Sequence, residues 1–228
     1  MTVGEFMKKI SIILVLLTLI LCNLFGCKSV NPLYNRVSEL RENIFVGSCE
    51  CTTIKASYGF RETPFNNDKK VSERVYLLNF RLLDKESQDV SYSINFTHNG
   101  KTYSANFKLD PIKDTVCASV EIEDFNVKEF TVTLSFGGEH HEVLLKSIVP
   151  ENTISYKTAL DHLYNSQDLL VKNYTDENGN FNAEIYVRIV VKDEKSYWYV
   201  GIASGNERLK AMLIDGFNGE VLAIREVF

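Results

Sequence analysis

The sequence predicts an α+β fold in two parts. Residues 37–149 read as an antiparallel β-sandwich, and residues 150–228 as a helix packed on a small antiparallel sheet. Three observations carry this expectation. From about Val37 to Ile148, apolar residues alternate with period two and no helical period intervenes. Asn99-Gly100 stands between two such alternating runs, the mark of a two-residue hairpin turn. At Pro150 the pattern changes, and "PENTISYKTALDHLYNSQDLL" has helical spacing.

In chain order, Lys8 and Lys9 come first, followed by an apolar run from Ile10 to Leu21. This is the charge-then-apolar pattern of an export signal, and the run is short for a membrane span. Met7, directly before the lysines, is expected to be the start of that signal rather than Met1. Leu24-Phe25-Gly26-Cys27 then resembles the bacterial lipobox, with an aliphatic residue at −3, a small residue at −1 and a cysteine. Cys22 is a poor rival because Leu21, which is not small, precedes it. The resemblance implies a signal peptide over residues 1–26, a diacylglyceryl thioether on Cys27 and cleavage just before it. A lipidated tether over residues 27–36 would follow. Each buried methylene contributes ~0.8 kcal/mol, so two or three acyl chains would hold the chain on the extracytoplasmic face of a cell membrane.

The strand region is legible in detail. "VYLLNFRLLD" puts Tyr76, Leu78, Phe80 and Leu82 on one face. Around Asn99-Gly100, Phe96 is expected opposite Tyr103, Ile94 opposite Ala105, Tyr92 opposite Phe107 and Val90 opposite Leu109. All eight are apolar or aromatic on one face, while serines, asparagines and a lysine take the other. "FTVTLSFGGEHHEVLLK" repeats the design, with Phe130, Val132, Leu134 and Phe136 inward and Gly137-Gly138 at the turn. Several strands at this spacing suggest a sandwich, and by analogy an immunoglobulin-like topology is expected. The Cys…Trp…Cys hallmark is missing, since the sole tryptophan is Trp198 in the other part.

After Pro150, Ala159, Leu160, Leu163 and Tyr164 line one helix face, with Thr153 or Ser155 as the N-cap. Strands follow, and Gly205-Asn206 as a two-residue turn would set Ile202 near Leu209, Val200 near Ala211 and Trp198 near Leu213. "SYWYVGIASGNERLKAMLIDGFNGEVLAIR" resembles the PepSY module in its aromatic strand, its hydrophobic strand ending in Asp, its Asn-Gly turn and its "EVL" strand. The resemblance covers about residues 150–228. It implies a role toward an extracytoplasmic peptidase or a peptide; if Pro150 marks a true division, the piece from about Val149 to Phe228, one helix on a sheet, is expected to fold alone.

Composition narrows the rest. The formal charge is −5, and becomes −6 once Glu5, Lys8 and Lys9 leave with the signal, so a nucleic-acid surface is not expected. Cys49 and Cys51 stand two apart in a strand-like stretch, an awkward placement for bridging each other. Buried free thiols are expected, or a bridge from Cys117 to one of the pair. No cofactor or metal is expected: His98, His140, His141 and His162 are not spaced as ligands. Asp176, Asn178 and Asn180 alternate as in a calcium loop, yet Phe181 and Val187 stand where such a loop needs Gly and Glu. Asp215, Asn218 and Glu220 read as turn residues. No nucleophile–base set or phosphate loop is present.

What remains is a surface. Alternation sends Trp198 to the helix side and Tyr197 and Tyr199 outward, either as an interaction surface or packed under the tether or the other part. The expected function is a non-enzymatic, lipid-anchored cell-envelope protein that binds protein or peptide. Its rivals are an envelope hydrolase and a structural spacer.

Overall fold

A computed structural model describes residues 31–63, 72–83, 91–111, 114–178, 180–204 and 209–227. A 3-10 turn at Pro32–Arg36 leads into β1 (Val37–Ser48), which forms a long hairpin with β2 (Thr53–Thr63). Next come β3 (Glu73–Leu82), β4 (Tyr92–His98), β5 (Lys101–Asn106), β6 (Lys108–Asp110) and β7 (Thr115–Glu121). The hairpin of β8 (Glu129–Phe136) and β9 (Glu139–Ser147) closes the first run. Two helices follow, α1 (Tyr156–Ser166) and α2 (Asp168–Asn173). The last four strands are β10 (Glu184–Lys192), β11 (Lys195–Ala203), β12 (Leu209–Asp215) and β13 (Val221–Val227).

These strands form a single 13-stranded sheet in the order β13-β12-β11-β10-β1-β2-β3-β7-β6, with β9, β8, β4 and β5 branching from β1. The expected α+β fold, an immunoglobulin-like sandwich followed by a separate helix-on-sheet unit, is therefore corrected. The described residues are mostly strand with little helix, and the C-terminal strands continue the sheet begun by the N-terminal ones. The physical reason lies in β1. Its first half runs parallel to β10, Leu40 opposite Val187 and Arg41 opposite Arg188, while its second half pairs with β9 through Phe45 and Val46. Residues 32–228 form one compact unit.

Two hydrophobic cores flank this branch point. In the first, Ala159, Leu160 and Leu163 of α1 meet Ile185, Val187, Trp198, Val200 and Met212 of the C-terminal strands, together with Leu33, Val37, Leu40, Ile44 and Phe60. The second gathers Phe45, Ile54, Leu78, Phe80, Ile94, Phe96, Phe125, Val132, Leu134 and Leu145. β1 contributes to both, Leu40 and Ile44 to the first and Phe45 to the second, and its register on β2 breaks on the way: Arg41 lies opposite Gly59 and Asn43 opposite Tyr58, so Glu42 is a bulge residue without a partner on β2. Gly59 is obligatory beside it, since a Cβ there would lie 1.9 Å from the Leu40 carbonyl oxygen.

Several local expectations appear in place. Asn99 and Gly100 have φ of 49° and 75°, and Ile94 pairs with Ala105 and Phe96 with Tyr103. Gly137 and Gly138 turn β8 into β9 with φ of 58° and 84°. Ser155 caps α1, its hydroxyl accepting the Thr158 N–H at 3.1 Å. Val90 lies outside the described residues. The cysteines differ from expectation. Cys49 and Cys51 are bridged to each other, with Cα atoms 5.3 Å apart, and Cys117 is free. The pair belongs to the β1–β2 turn rather than to a strand, with the Cys49 N–H donating to the Thr52 carbonyl at 3.0 Å. Strand alternation therefore does not fix the directions of its side chains.

Candidate functional site

The outward face of β11–β13 is built by alternation. Trp198, Val200 and Ile202 turn toward α1, and the Trp198 Nε1–H donates to the Ile154 carbonyl at 2.9 Å. Tyr197 and Tyr199 go to the other face and are half-buried. Tyr199 pairs with Leu213, Gly201 with Ala211 and Val200 with Met212. This register is one residue away from the one a Gly205-Asn206 two-residue turn would set. Residues 205–208 themselves lie outside the described residues. Since strand side chains have period two, the slip exchanges faces. Met212 and Ile214 join the core, while Ala211 and Leu213 come out beside Tyr199.

A groove of about 440 Å³ results, lined by Tyr199, Ala211, Met212, Leu213, Ala223 and Arg225. It is largely apolar, and Arg225 is its one charged side chain. Tyr197, opposite Asp215 and Val190, does not line it. Beyond the groove lies the end of the sheet, because β13 pairs with β12 alone among the described residues. Leu222 and Ile224 of this edge strand are more than 40% exposed. The open edge offers main-chain N–H and C=O groups, and the groove beside it offers small and aromatic side chains. Further along the same sheet the polarity changes. Arg188 grips Glu39 with two hydrogen bonds of 3.1 and 2.9 Å, and Arg41 adds a contact of 2.7 Å, fastening β10 to β1. The Tyr186 hydroxyl donates to buried Glu184 at 3.0 Å, and burial together with that carboxylate raises the tyrosine pKa well above its usual value.

The other sequence candidates have structural employment or lie elsewhere. Asp176 Oδ1 accepts the N–H groups of Asn178 and Asn180, and its Oδ2 accepts the side-chain amides of Asn180 and Asn182. These bonds, the Asn180 N–H first among them, hold the Asp176 pKa low and make the segment a self-satisfied turn. Asp215 Oδ1 accepts the N–H groups of Phe217 and Asn218 in its own turn. Among the described residues no group of three or more His, Cys, Asp or Glu side chains is arranged to hold a metal. No described helix is long and apolar enough to cross a membrane. Cys27 and its lipobox lie outside the described residues. No family model, curated protein or solved structure matches this chain.

Sequence reasoning reached Tyr199 and missed Ala211, Leu213, Ala223 and Arg225. The alternation of β12 and β13 was visible, but the register joining them to β11 was not.

Proposed function

We propose that the protein is a non-enzymatic, lipid-anchored component of a bacterial cell envelope. In this reading it is tethered through Cys27 on the extracytoplasmic face and binds an extended segment of another protein, a secreted or envelope peptidase being the partner class. The observation that carries the reading is the open β13 edge with an apolar groove beside it. An added strand gains affinity from main-chain hydrogen bonds, each worth about 0.5–1.5 kcal/mol net, and specificity from alternate side chains entering the groove. The lipobox at Leu24–Cys27 and the PepSY resemblance over about residues 150–228 support anchor and partner respectively. A tether confines the binding surface to the membrane, so modest affinity suffices for a partner passing close by.

The test has two arms. Cys27→Ser should abolish incorporation of labelled fatty acid and leave the precursor uncut; unchanged labelling would overturn the anchor. The chain lacking residues 1–26 is panned against an extended-peptide library, and the peptide recovered is mapped by hydrogen exchange. Protection is expected across Val221–Val227, with Tyr199→Ala weakening binding about tenfold or more, the scale of taking one aromatic ring out of the groove. Peptide binding without protection of β13, or indifference to Tyr199→Ala, would overturn the site.

A further inference from the structure

The bulge in β1 points to a second site, separate from the β13 edge. Glu42 has no partner across the strand pair, and a bulge of this kind re-aims a side chain away from the ladder. Its carboxylate makes no hydrogen bond or ion pair among the described residues. It lines a cavity of about 530 Å³ together with Tyr58, Tyr76, Glu123, Asp124 and Phe125. No lysine or arginine lines this cavity. The Tyr58 and Tyr76 rings stack in its wall with centroids 6.2 Å apart, and the buried Phe125 ring backs Tyr58 at 5.7 Å.

Tyr58 supplies an independent indication. It is only 6% exposed, and its hydroxyl accepts the Phe125 N–H at 3.3 Å. The hydroxyl's own proton has no acceptor among the described residues. A donor this deeply buried and left unspent in a cavity wall calls for an acceptor from outside. The cavity thus presents three carboxylates, the exposed ring of Tyr76, which attracts cations, and the Tyr58 hydroxyl as a donor. A bare metal ion fits poorly, because the carboxylates do not converge as a ligand set and the space is that of a small organic molecule.

We propose that this cavity binds an organic ammonium that carries a neighbouring oxygen acceptor, as an amino alcohol does. The ammonium sits against Glu42, with Glu123 and Asp124 at the mouth. The alkyl chain lies along the exposed part of Tyr76, and the oxygen accepts from the Tyr58 hydroxyl.

The probes are 5-aminopentan-1-ol and its uncharged isostere pentane-1,5-diol, titrated calorimetrically into the chain lacking residues 1–26. The amino alcohol should bind about tenfold or more tightly than the diol. Glu42→Gln should remove that difference, and Tyr58→Phe should weaken the amino alcohol severalfold. Thermal unfolding of each variant confirms that it is folded. Should Tyr58→Phe fail to fold, Glu123→Gln with Asp124→Asn, on the loop before β8, takes its place with the same expectation. Equal binding of the two probes, no binding of the amino alcohol up to its solubility limit, or an unchanged preference in Glu42→Gln would overturn the proposal. Peptide capture at β13 should be intact in Glu42→Gln, so the two sites fail or stand separately.

Discussion

Cutting the chain at Val149 removes five side chains that complete the first core: Leu33, Val37, Leu40, Ile44 and Phe60. All are almost fully buried against α1 and the C-terminal strands. At about 1.5–3 kcal/mol for each buried side chain, the loss comes to roughly 8–15 kcal/mol. That matches the entire stability of a typical domain, about 5–15 kcal/mol. The cut also strips β10 of its main-chain partners from Val37 to Arg41 and leaves Arg188 without Glu39. A fragment spanning Val149–Phe228 is therefore expected to be unfolded, although its two helices and four strands are all present. Trp198 reports the outcome, being buried and hydrogen-bonded to Ile154 in the intact chain. On heating or in urea, the chain from Cys27 to Phe228 should show blue-shifted emission that is lost in a cooperative transition. The fragment should show solvent-like emission and no transition. A blue-shifted, cooperatively melting fragment would refute the argument that β1 completes the core.

Two further outcomes follow from the β1–β2 pair. Gly59→Ala drives a Cβ into the Leu40 carbonyl and should cost about 3 kcal/mol, read from the urea midpoint; a change under about 0.5 kcal/mol would show that the strands part without penalty. Burial holds the Glu42 pKa above its unfolded value, so its contribution to stability is present in acid and lost as pH rises through that raised pKa. Glu42→Gln should accordingly be the more stable protein at about pH 8 and match the parent near pH 3.5; the reverse order would show that the carboxylate is stabilised as a charge.

The parts of this fold that were legible in the sequence are those written within a few residues. Asn99-Gly100 and Gly137-Gly138 fix their hairpins because each turn requires positive φ at both positions. Ser155 announces α1 because a hydroxyl at that position can serve the Thr158 N–H. The β11–β12 register was not legible, because its connection is longer than two residues and alternation alone allows either face of β12 to turn inward. That single slip hid Ala211 and Leu213 from the groove. The parallel pairing of β1 with β10 leaves no local trace, since it joins segments from opposite ends of the chain. The bulge at Glu42 was equally silent: Arg41-Glu42-Asn43 reads as ordinary strand, and only the partner strand shows which residue is in excess.

The pairing of β1 with β10 also sets an order of events. Glu39 and Arg188 lie 149 residues apart, so the first half of β1 finds its parallel partner only after most of the chain has been made. The β1–β2 hairpin and the β4–β5 hairpin close early, because their loops are short. Until β10 arrives, the segment around Val37–Arg41 keeps one main-chain edge unpaired and its apolar side chains uncovered. Such a strand is a template for wrong partners during synthesis. Assembly therefore finishes where it began, and this late closure sets the interval in which a newly made chain is most exposed to aggregation or proteolysis.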